Sequence, residues 1–254
     1  MDWGRAKTIL IFSFLALNLI LGYELWAGRW NPGGAKSATA DIAEELGQML
    51  QARNIHVEPT IPKDVPKMRE IVVKWVEGDQ FGKWVQLPKP IPYNSLLSKG
   101  SIRELLNQMG HLIEKPEAYR FDPVFSEEGH YVLNQMYGDY PLFDINLELA
   151  INDGHLTAYR QLYVEADLNA QPNEEKKVIP AYTALRTLAD KYLADGSVIT
   201  DIRLGYHGQY FDSEKWTVLP AFPTWRVAVA SGDVYYVHAF RGDVENAPRL
   251  RKPS

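Results

Sequence analysis

The chain contains no cysteine among its 254 residues. Disulfide bonds, thiolate catalysis, cysteine-ligated zinc and an acylated lipoprotein terminus are therefore excluded. Basic residues are also fewer than acidic ones, with 27 lysines and arginines against 32 aspartates and glutamates and a formal net charge of −5. A chain without a basic excess lacks the electrostatic footprint of nucleic-acid-binding proteins, so we expect no nucleic-acid partner.

The sequence also lacks the recognisable motifs of enzymes and metal sites. It has no His-Glu-x-x-His, no Gly-x-Ser-x-Gly and no glycine-rich phosphate loop, and its six histidines show no metal-ligand spacing. His207 follows a predicted strand and is interpreted as a loop histidine rather than a site. Asp144 and Glu148 share one face of a predicted strand, and a solvent-exposed face explains both without catalysis. The sequence therefore predicts no enzyme, no metal site and no cofactor.

Charge is absent altogether from one segment near the N-terminus. Residues 8–23 carry no charged side chain, and only Ser13 and Asn18 are polar within the apolar centre of this segment. A membrane-spanning helix needs about 20 mostly apolar residues. Because flanking tryptophans and Lys7 suit the membrane interfaces, the pattern predicts an uncleaved transmembrane helix. A cleaved signal peptide and a buried core helix stay open, although the bulky sequence 23–26 disfavours a cleavage site.

The charges beside this segment predict its orientation. Arg5 and Lys7 precede it, which favours a cytoplasmic N-terminus under the positive-inside rule, although Arg29 and Lys36 follow it. The rest of the chain would then lie outside the cytoplasm. We therefore expect a single-pass protein of the cell membrane, in contact with membrane lipid and with a large extracytoplasmic domain.

Four residues of the same segment are candidates for contact with a partner helix. Inside lipid, an amide side chain such as that of Asn18 seeks a hydrogen-bond partner on another helix. Ser13, Ala16 and Gly22 are small enough to let two helices approach closely. The sequence thus predicts a partner-binding surface made of these four residues, while simple tolerance of one asparagine stays open.

Local patterns predict helices and strands in the remaining chain. Residues 143–151 alternate apolar and polar side chains with period two, and the sequence 152–154, Asn-Asp-Gly, predicts a tight hairpin turn. Capping boxes predict helices that begin at Asp41 and Ser101. A third helix is predicted over residues 180–194.

The same order of elements occurs twice along the chain. Each copy has a helix, two strands and a long hairpin, whose turn contains Gly154 in one copy and Gly232 in the other. This repeat predicts an α+β fold in which an N-terminal single transmembrane helix precedes repeated helix-plus-antiparallel-sheet units. The predicted parts are the cytoplasmic tip and transmembrane helix at 1–27, a linker at 28–40, an N-terminal helix-strand part at 41–92, the two helix-plus-sheet units at 93–167 and 175–245, and a tail at 246–254.

Several stretches resemble one protein family. The chain opens with Met-Asp-Trp and carries Lys-Thr just before the apolar segment. Near its other end it reads Leu-Pro-Ala-Phe-Pro-Thr-Trp-Arg-Val at 219–227 and Tyr-Tyr-Val-His-Ala at 235–239. Two further stretches, at 179–185 and 199–206, carry the same resemblance. These residues resemble the YycI family of low-GC Gram-positive bacteria, and the resemblance covers essentially the whole chain.

The resemblance implies a function that the residues alone do not. YycI proteins and their relative YycH are non-enzymatic single-pass proteins with an extracytoplasmic domain. They associate with the sensor histidine kinase WalK, also called YycG, partly through transmembrane helices, and modulate two-component signalling that controls cell-wall metabolism. We therefore expect WalK, contacted through the transmembrane helix, and YycH as partners. An anchored extracytoplasmic ligand-binding module or an inhibitor of a cell-wall enzyme stays open as the alternative.

Overall fold

The computed structural model describes residues 11, 13–23, 33–76, 82–93, 98–167, 169–170, 174–208 and 218–246. The chain divides into two compact units, Met1–Gln48 and Met49–Ser254. The predicted cytoplasmic tip, the first residues of the predicted linker and the predicted tail from residue 247 onward lie outside the described residues.

The N-terminal apolar segment contains a helical stretch over residues 13–23, whose side chains are exposed. Among the described residues, no helix is both long enough and apolar enough to cross a membrane. The transmembrane helix of the predicted fold is therefore not found.

Three longer helices are described: α1 (Gly33–Ala52), α2 (Ser98–Gln108) and α3 (Ala181–Lys191). The prediction of a helix over 180–194 is confirmed, since α3 starts directly after Pro180. The predicted starts at Asp41 and Ser101 are wrong, because α1 and α2 each begin several residues earlier. The added residues of α1 are Gly-Gly-Ala-Lys-Ser-Ala-Thr-Ala, and their three alanines and one lysine favour a helix even though glycine and threonine do not. The capping signal therefore did not mark its start.

Strand is the main regular structure among the described residues, and helix is the minor one. The strands are β1 (His56–Val57), β2 (Lys67–Met68), β3 (Ile71–Trp75), β4 (Trp84–Pro92), β5 (Tyr119–Phe121), β6 (His130–Tyr137), β7 (Tyr140–Asn152), β8 (His155–Gln161), β9 (Val164–Ala166), β10 (Lys176–Lys177), β11 (Val198–His207), β12 (Val218–Val229), β13 (Val234–His238) and β14 (Val244–Asn246). Twelve of these described strands join one mixed sheet with the main order β14-β13-β12-β11-β7-β6-β5, and β2 pairs separately with β10.

The strands of the two predicted units pair with each other. β11 lies parallel to β7, with Tyr206 opposite Leu142, and β3 pairs antiparallel with both β12 and β9. The predicted α+β fold of repeated helix-plus-antiparallel-sheet units is therefore wrong, and the protein is a mostly β structure with one large mixed sheet. Pairing between strands far apart in sequence leaves no local trace in residue periodicity or turn composition, which is why the pattern missed it.

The hairpin between β7 and β8 has the predicted turn. Asp153 and Gly154 have φ values of 48° and 70°, and a two-residue type I′ turn requires positive φ at both central positions. Asn152 and His155 pair across the turn. The predicted strand at 143–151 is confirmed, because it lies entirely within β7.

Helix α2 covers one face of the sheet at β6, β7 and β8. Its apolar side chains pack with those of alternate strand residues, so this core is withdrawn from water. The opposite face of the same strands does not contribute to this core. The main members are Ile102, Leu105, Leu106, Met109, Leu133, Leu147, Leu149, Leu156 and Tyr159.

Helix α3 lies against β12 and β13. Trp225 on β12 is buried and donates a hydrogen bond from Nε1 to the carbonyl oxygen of Ile179, just before the helix, at 2.9 Å. At the other end of the helix, Arg53 donates to backbone carbonyls and pairs with Asp195 at 2.6 Å. Because side chains alternate along a strand, the neighbours of Trp225 point to the opposite face of the sheet.

Candidate functional site: a buried charged cluster

A bulge in β7 places one carboxylate at the junction of β7 and β11. On β6, Asn134 pairs with Asn146 and the next residue, Gln135, pairs with Leu142. Residues 143–145 of β7 therefore have no partner on β6. Bulges of this kind re-aim side chains, and here the bulge contains Asp144.

The neighbouring strand approaches this bulge closely at Gly205. A Cβ atom at that position would lie 2.6 Å from the ring of Phe143 and 2.6 Å from the carbonyl oxygen of Pro141. Real Cβ atoms do not tolerate such distances, so glycine is required for β11 to lie against β7. The close approach brings the end of β11 alongside Asp144.

Asp144 holds the last residue of β11, His207. The Nδ1 atom of His207 lies 2.9 and 3.0 Å from the two carboxylate oxygens, and the backbone N–H of Gly208 donates to Oδ2 at 3.1 Å. The imidazole ring stacks on the ring of Tyr236, with centroids 4.0 Å apart and planes inclined by 6°. Since the side chains of Asp144 and His207 are only 6% and 12% exposed, this contact is largely shielded from solvent.

The second ring nitrogen of His207 is also enclosed. Nε2 is buried, makes no hydrogen bond to any described residue and lies 3.7 Å from a carboxylate oxygen of Glu245 on β14. A histidine that acts as a general base needs a ring nitrogen within reach of the proton it removes. The pair links the end of β11 to β7 and to β13. Within the described ranges, no group of three or more potential metal ligands was found.

Burial and charge shift the pKa values in this contact. Burial alone lowers the pKa of His207, but the hydrogen bond to Asp144 and the charges of Asp144 and Glu245 outweigh it and raise the pKa above its ordinary value. Burial raises the pKa of Asp144, while His207 and the Gly208 N–H act in the opposite direction. Burial also raises the pKa of Tyr236, which keeps its hydroxyl neutral beneath the imidazole.

A second ionic contact lies on the same face of the sheet. Arg226 on β12 and Asp122, just after β5, are both 0% exposed. The guanidinium donates to both carboxylate oxygens of Asp122 and also to Asp201 at 3.0 Å. Its carbon lies 4.7 Å from the ring centroid of Phe143 and 5.3 Å from that of Phe125, so aromatic faces complete its surroundings.

The two contacts form one unit, which we call the charged cluster. The ring of Phe143 joins them, because it packs on Arg226 and lies 5.7 Å from the ring of Tyr236. The cluster ties the segment after β5 to β7, β11, β12 and β13. Its members are Asp122, Asp144, Asp201, His207, Arg226 and Tyr236.

Comparison with known proteins identifies the family. The model of the YycI protein family matches residues 85–240, which is more than half of the chain. The chain belongs to the YycI family. The family consists of regulatory accessory proteins of the WalK system and is not an enzyme family. All six members of the charged cluster lie within the matched region, so the cluster is part of the YycI domain of this chain.

Other comparisons give more distant similarities. No curated protein matches the chain. An uncharacterized protein from Eubacterium rectale is 10% identical, with a TM-score of 0.41 and coverage of 84% of this chain and 82% of that one. The Bacillus megaterium YpeB C-terminal domain is 11% identical, with a TM-score of 0.36 and coverage of 82% of this chain and 97% of that one.

The four residues predicted to bind a partner helix lie in the exposed helical stretch at 13–23 of this YycI-family chain. Successive residues of an α-helix are rotated by about 100°. Ser13 and Ala16 therefore lie on one side, and Asn18 and Gly22 on roughly the opposite side. A single partner helix would contact one pair and not the other. The predicted partner-binding surface stays a prediction, and the helical geometry places its four residues as two pairs on opposite sides of the helix.

Three residues received the wrong interpretation from sequence. His207 ends a strand and is not a loop residue, and its side chain is 12% exposed. The side chains of Asp144 and Glu148 are only 6% and 10% exposed, so neither faces solvent. Glu148 instead accepts hydrogen bonds from His130, at 3.1 Å, and from Arg160. The available signal in the sequence was a carboxylate between apolar neighbours. The partner of Asp144 lies 63 residues away along the chain, and no local sequence pattern identifies a partner at that distance.

Replacement of His207 by glutamine is expected to reduce the loss of stability at alkaline pH. The folded-state pKa of His207 lies above 6.5. Its stabilising contribution is therefore fully present below about pH 6.5 and is lost as pH rises through the raised folded-state pKa. Urea denaturation of the wild type and of His207→Gln between pH 6 and pH 9 measures this. The free energy of unfolding should fall more steeply with pH in the wild type.

His238 provides a control of opposite sign. Burial, followed by the charge of Arg241, lowers the pKa of His238 below its ordinary value. Its contribution is therefore unfavourable below pH 6.5 and disappears as pH rises. His238→Gln should leave the fall at alkaline pH unchanged. Equal alkaline profiles for the wild type and His207→Gln would contradict the assignment of a raised pKa.

Proposed function

We propose that this chain is a membrane-associated regulatory protein that binds the sensor histidine kinase WalK and YycH and modulates two-component signalling in control of cell-wall metabolism. The observation that carries the proposal is the match of residues 85–240 to the YycI family. The buried charged cluster supports a binding role, because its ionisable groups are used to fasten strands rather than to meet a substrate.

The proposed localisation is the cell membrane, with the N-terminus in the cytoplasm and the folded region outside it. The uncharged segment 8–23 supports membrane association, and the basic residues Arg5 and Lys7 before it support the orientation. The segment would then bring Asn18 into lipid, where its amide gains from a hydrogen bond to a kinase helix.

Regulation follows from differential binding. A partner can shift an equilibrium between two kinase states only by the difference in its affinity for them. The described strands pair with one another in one large sheet, and a surface on this sheet that fits one kinase state better than the other would supply the difference in affinity. The bound protein then biases kinase activity without chemistry of its own.

Co-purification with WalK tests the proposal. Membranes from cells that contain WalK and YycH are solubilised, and the tagged full-length chain is recovered together with its partners. Asn18→Leu is expected to reduce recovery of WalK several-fold, because the amide contact is lost. Ser13→Leu, on the opposite side of the same helical stretch, is the matched control and should leave recovery unchanged.

Two outcomes would contradict parts of the proposal. If Asn18→Leu and Ser13→Leu both recover WalK at the wild-type level, Asn18 is not a contact residue. If neither WalK nor YycH is recovered with the wild-type chain from the membrane fraction, the proposed association itself is wrong.

A further inference from the structure

A second polar arrangement lies on the sheet face opposite helix α2. Trp84 on β4 stands opposite Arg160 on β8, which stands opposite Glu148 on β7. The next row of the same face contains Gln86, Ala158 and Ala150, with His130 at its end on β6. Large and polar side chains thus surround two alanines on this face.

The indole of Trp84 leans across these alanines. β4 and β6 are separated by β8 and β7, so their backbones are about 14 Å apart. The rings of Trp84 and His130 are nevertheless only 6.3 Å apart between centroids. They therefore meet above the two central strands, where Ala150 and Ala158 leave room. Ala158 is 3% exposed beneath this cover, whereas Trp84 itself is 43% exposed.

Polar groups form the rim of this exposed indole. The guanidinium carbon of Arg160 lies 5.4 Å from the indole centroid, and Arg160 also donates to Glu148. The other carboxylate oxygen of Glu148 lies 3.1 Å from Nε2 of His130. Gln86 is exposed beside them, and the side chains of Arg160 and His130 are 38% and 31% exposed.

We propose that this surface, the Trp84 platform, binds a carbohydrate by stacking one pyranose ring on the exposed indole. The platform consists of Trp84, Gln86, His130, Glu148 and Arg160. The negative face of an aromatic ring attracts the polarised C–H groups on the apolar side of a sugar. The amide, guanidinium and imidazole at the rim then reach the hydroxyl groups around the edge of that ring.

The charges of the platform favour a neutral ligand. Arg160 is already paired with Glu148, and both oxygens of that carboxylate are engaged, so neither an anion nor a cation meets an unpaired opposite charge here. A purely apolar peptide side chain would cover the rim groups without replacing their hydrogen bonds to water, which costs free energy. Sugar hydroxyls both donate and accept hydrogen bonds, so they can satisfy a rim that contains donors as well as acceptors.

A glycan array provides the test. The full-length chain, held in a detergent without a sugar headgroup, is applied to an array of hexopyranose and N-acetylhexosamine oligomers, and the affinity for the strongest binder is measured by calorimetry. Trp84→Ala should weaken binding by at least about tenfold, since the surface on which the sugar stacks is lost. Tyr192→Ala removes an aromatic residue of similar exposure, 42%, and should bind like the wild type.

Folding and binding are separated by a second measurement. Thermal denaturation of each variant shows whether the sheet persists, and Gln86→Ala tests the rim without altering the indole. Weaker binding in Trp84→Ala and Gln86→Ala, with unchanged binding in Tyr192→Ala, supports the platform. No binding by the wild type to any glycan, or equal binding by Trp84→Ala, overturns it. Neither result bears on WalK recovery, so this inference stands or fails apart from the proposed function.

Discussion

Arg226→Met is expected to destabilise the protein by about 3–5 kcal/mol, because it removes the guanidinium that contacts both oxygens of the buried Asp122 carboxylate and leaves it with the more distant Arg203, at 4.0 Å. Both residues of this pair are 0% exposed, and water cannot replace the lost contacts. The free energy of unfolding from urea titration measures the effect. Its size reflects the cost of a buried carboxylate that has lost its bidentate partner, and not the net value of the ion pair.

Two further variants separate these contributions. The double variant Asp122→Leu with Arg226→Met removes both charges, and it should recover most of the lost stability. Arg241→Met removes an exposed arginine that pairs with Asp243 at 2.6 Å, with side chains 64% and 67% exposed, and it should cost about 1 kcal/mol or less. If the double variant is as unstable as Arg226→Met, the buried charge is not the cause.

Gly205→Ala is expected to destabilise the protein by about 1–3 kcal/mol through overpacking. The added methyl would lie 2.6 Å from the ring of Phe143 and from the carbonyl oxygen of Pro141. Either β11 moves away from β7 or the ring of Phe143 leaves its place beside Arg226. Both responses disturb the charged cluster, and urea denaturation reports the loss.

Gly47→Ala is the matched control for this substitution. Nothing lies within 4 Å of a Cβ atom built at Gly47, which is inside helix α1. Alanine is a better helix former than glycine by about 1 kcal/mol, so this variant should be neutral or more stable. Phe143→Leu, added to Gly205→Ala, should restore only part of the stability because the clash with the carbonyl of Pro141 persists. A Gly205→Ala protein as stable as the wild type would show that the strands are not in close contact.

The elements that sequence predicted correctly depend on short stretches of chain. The strand over 143–151 follows from strict alternation, and its hairpin turn follows from Asp153 and Gly154, which accept positive φ. Helix starts were predicted less well: α1 begins at Gly33, eight residues before the predicted cap at Asp41, because residues without a capping signature can still extend a helix.

The charged cluster shows where local prediction ends. The sequence predicts a solvent-exposed strand face for Asp144 and a loop position for His207. In a strand of alternating apolar and polar residues, the sequence around a polar residue is the same whether its side chain faces water or packs against a partner such as Tyr236. Only the bulge in β7 and the approach at Gly205 bring the two side chains within 2.9 Å.

By itself, the sequence determined the family of this protein, the strand and hairpin at 143–155 and the helix after Pro180, because each of these is written in contiguous residues. The tertiary structure decided that the strands form one mixed sheet and that a charged cluster joins them. The physical reason is separation along the chain, because the contact between Asp122 and Arg226 spans 104 residues. Burial makes this ion pair obligatory only after the strands between the two residues have assembled into the sheet.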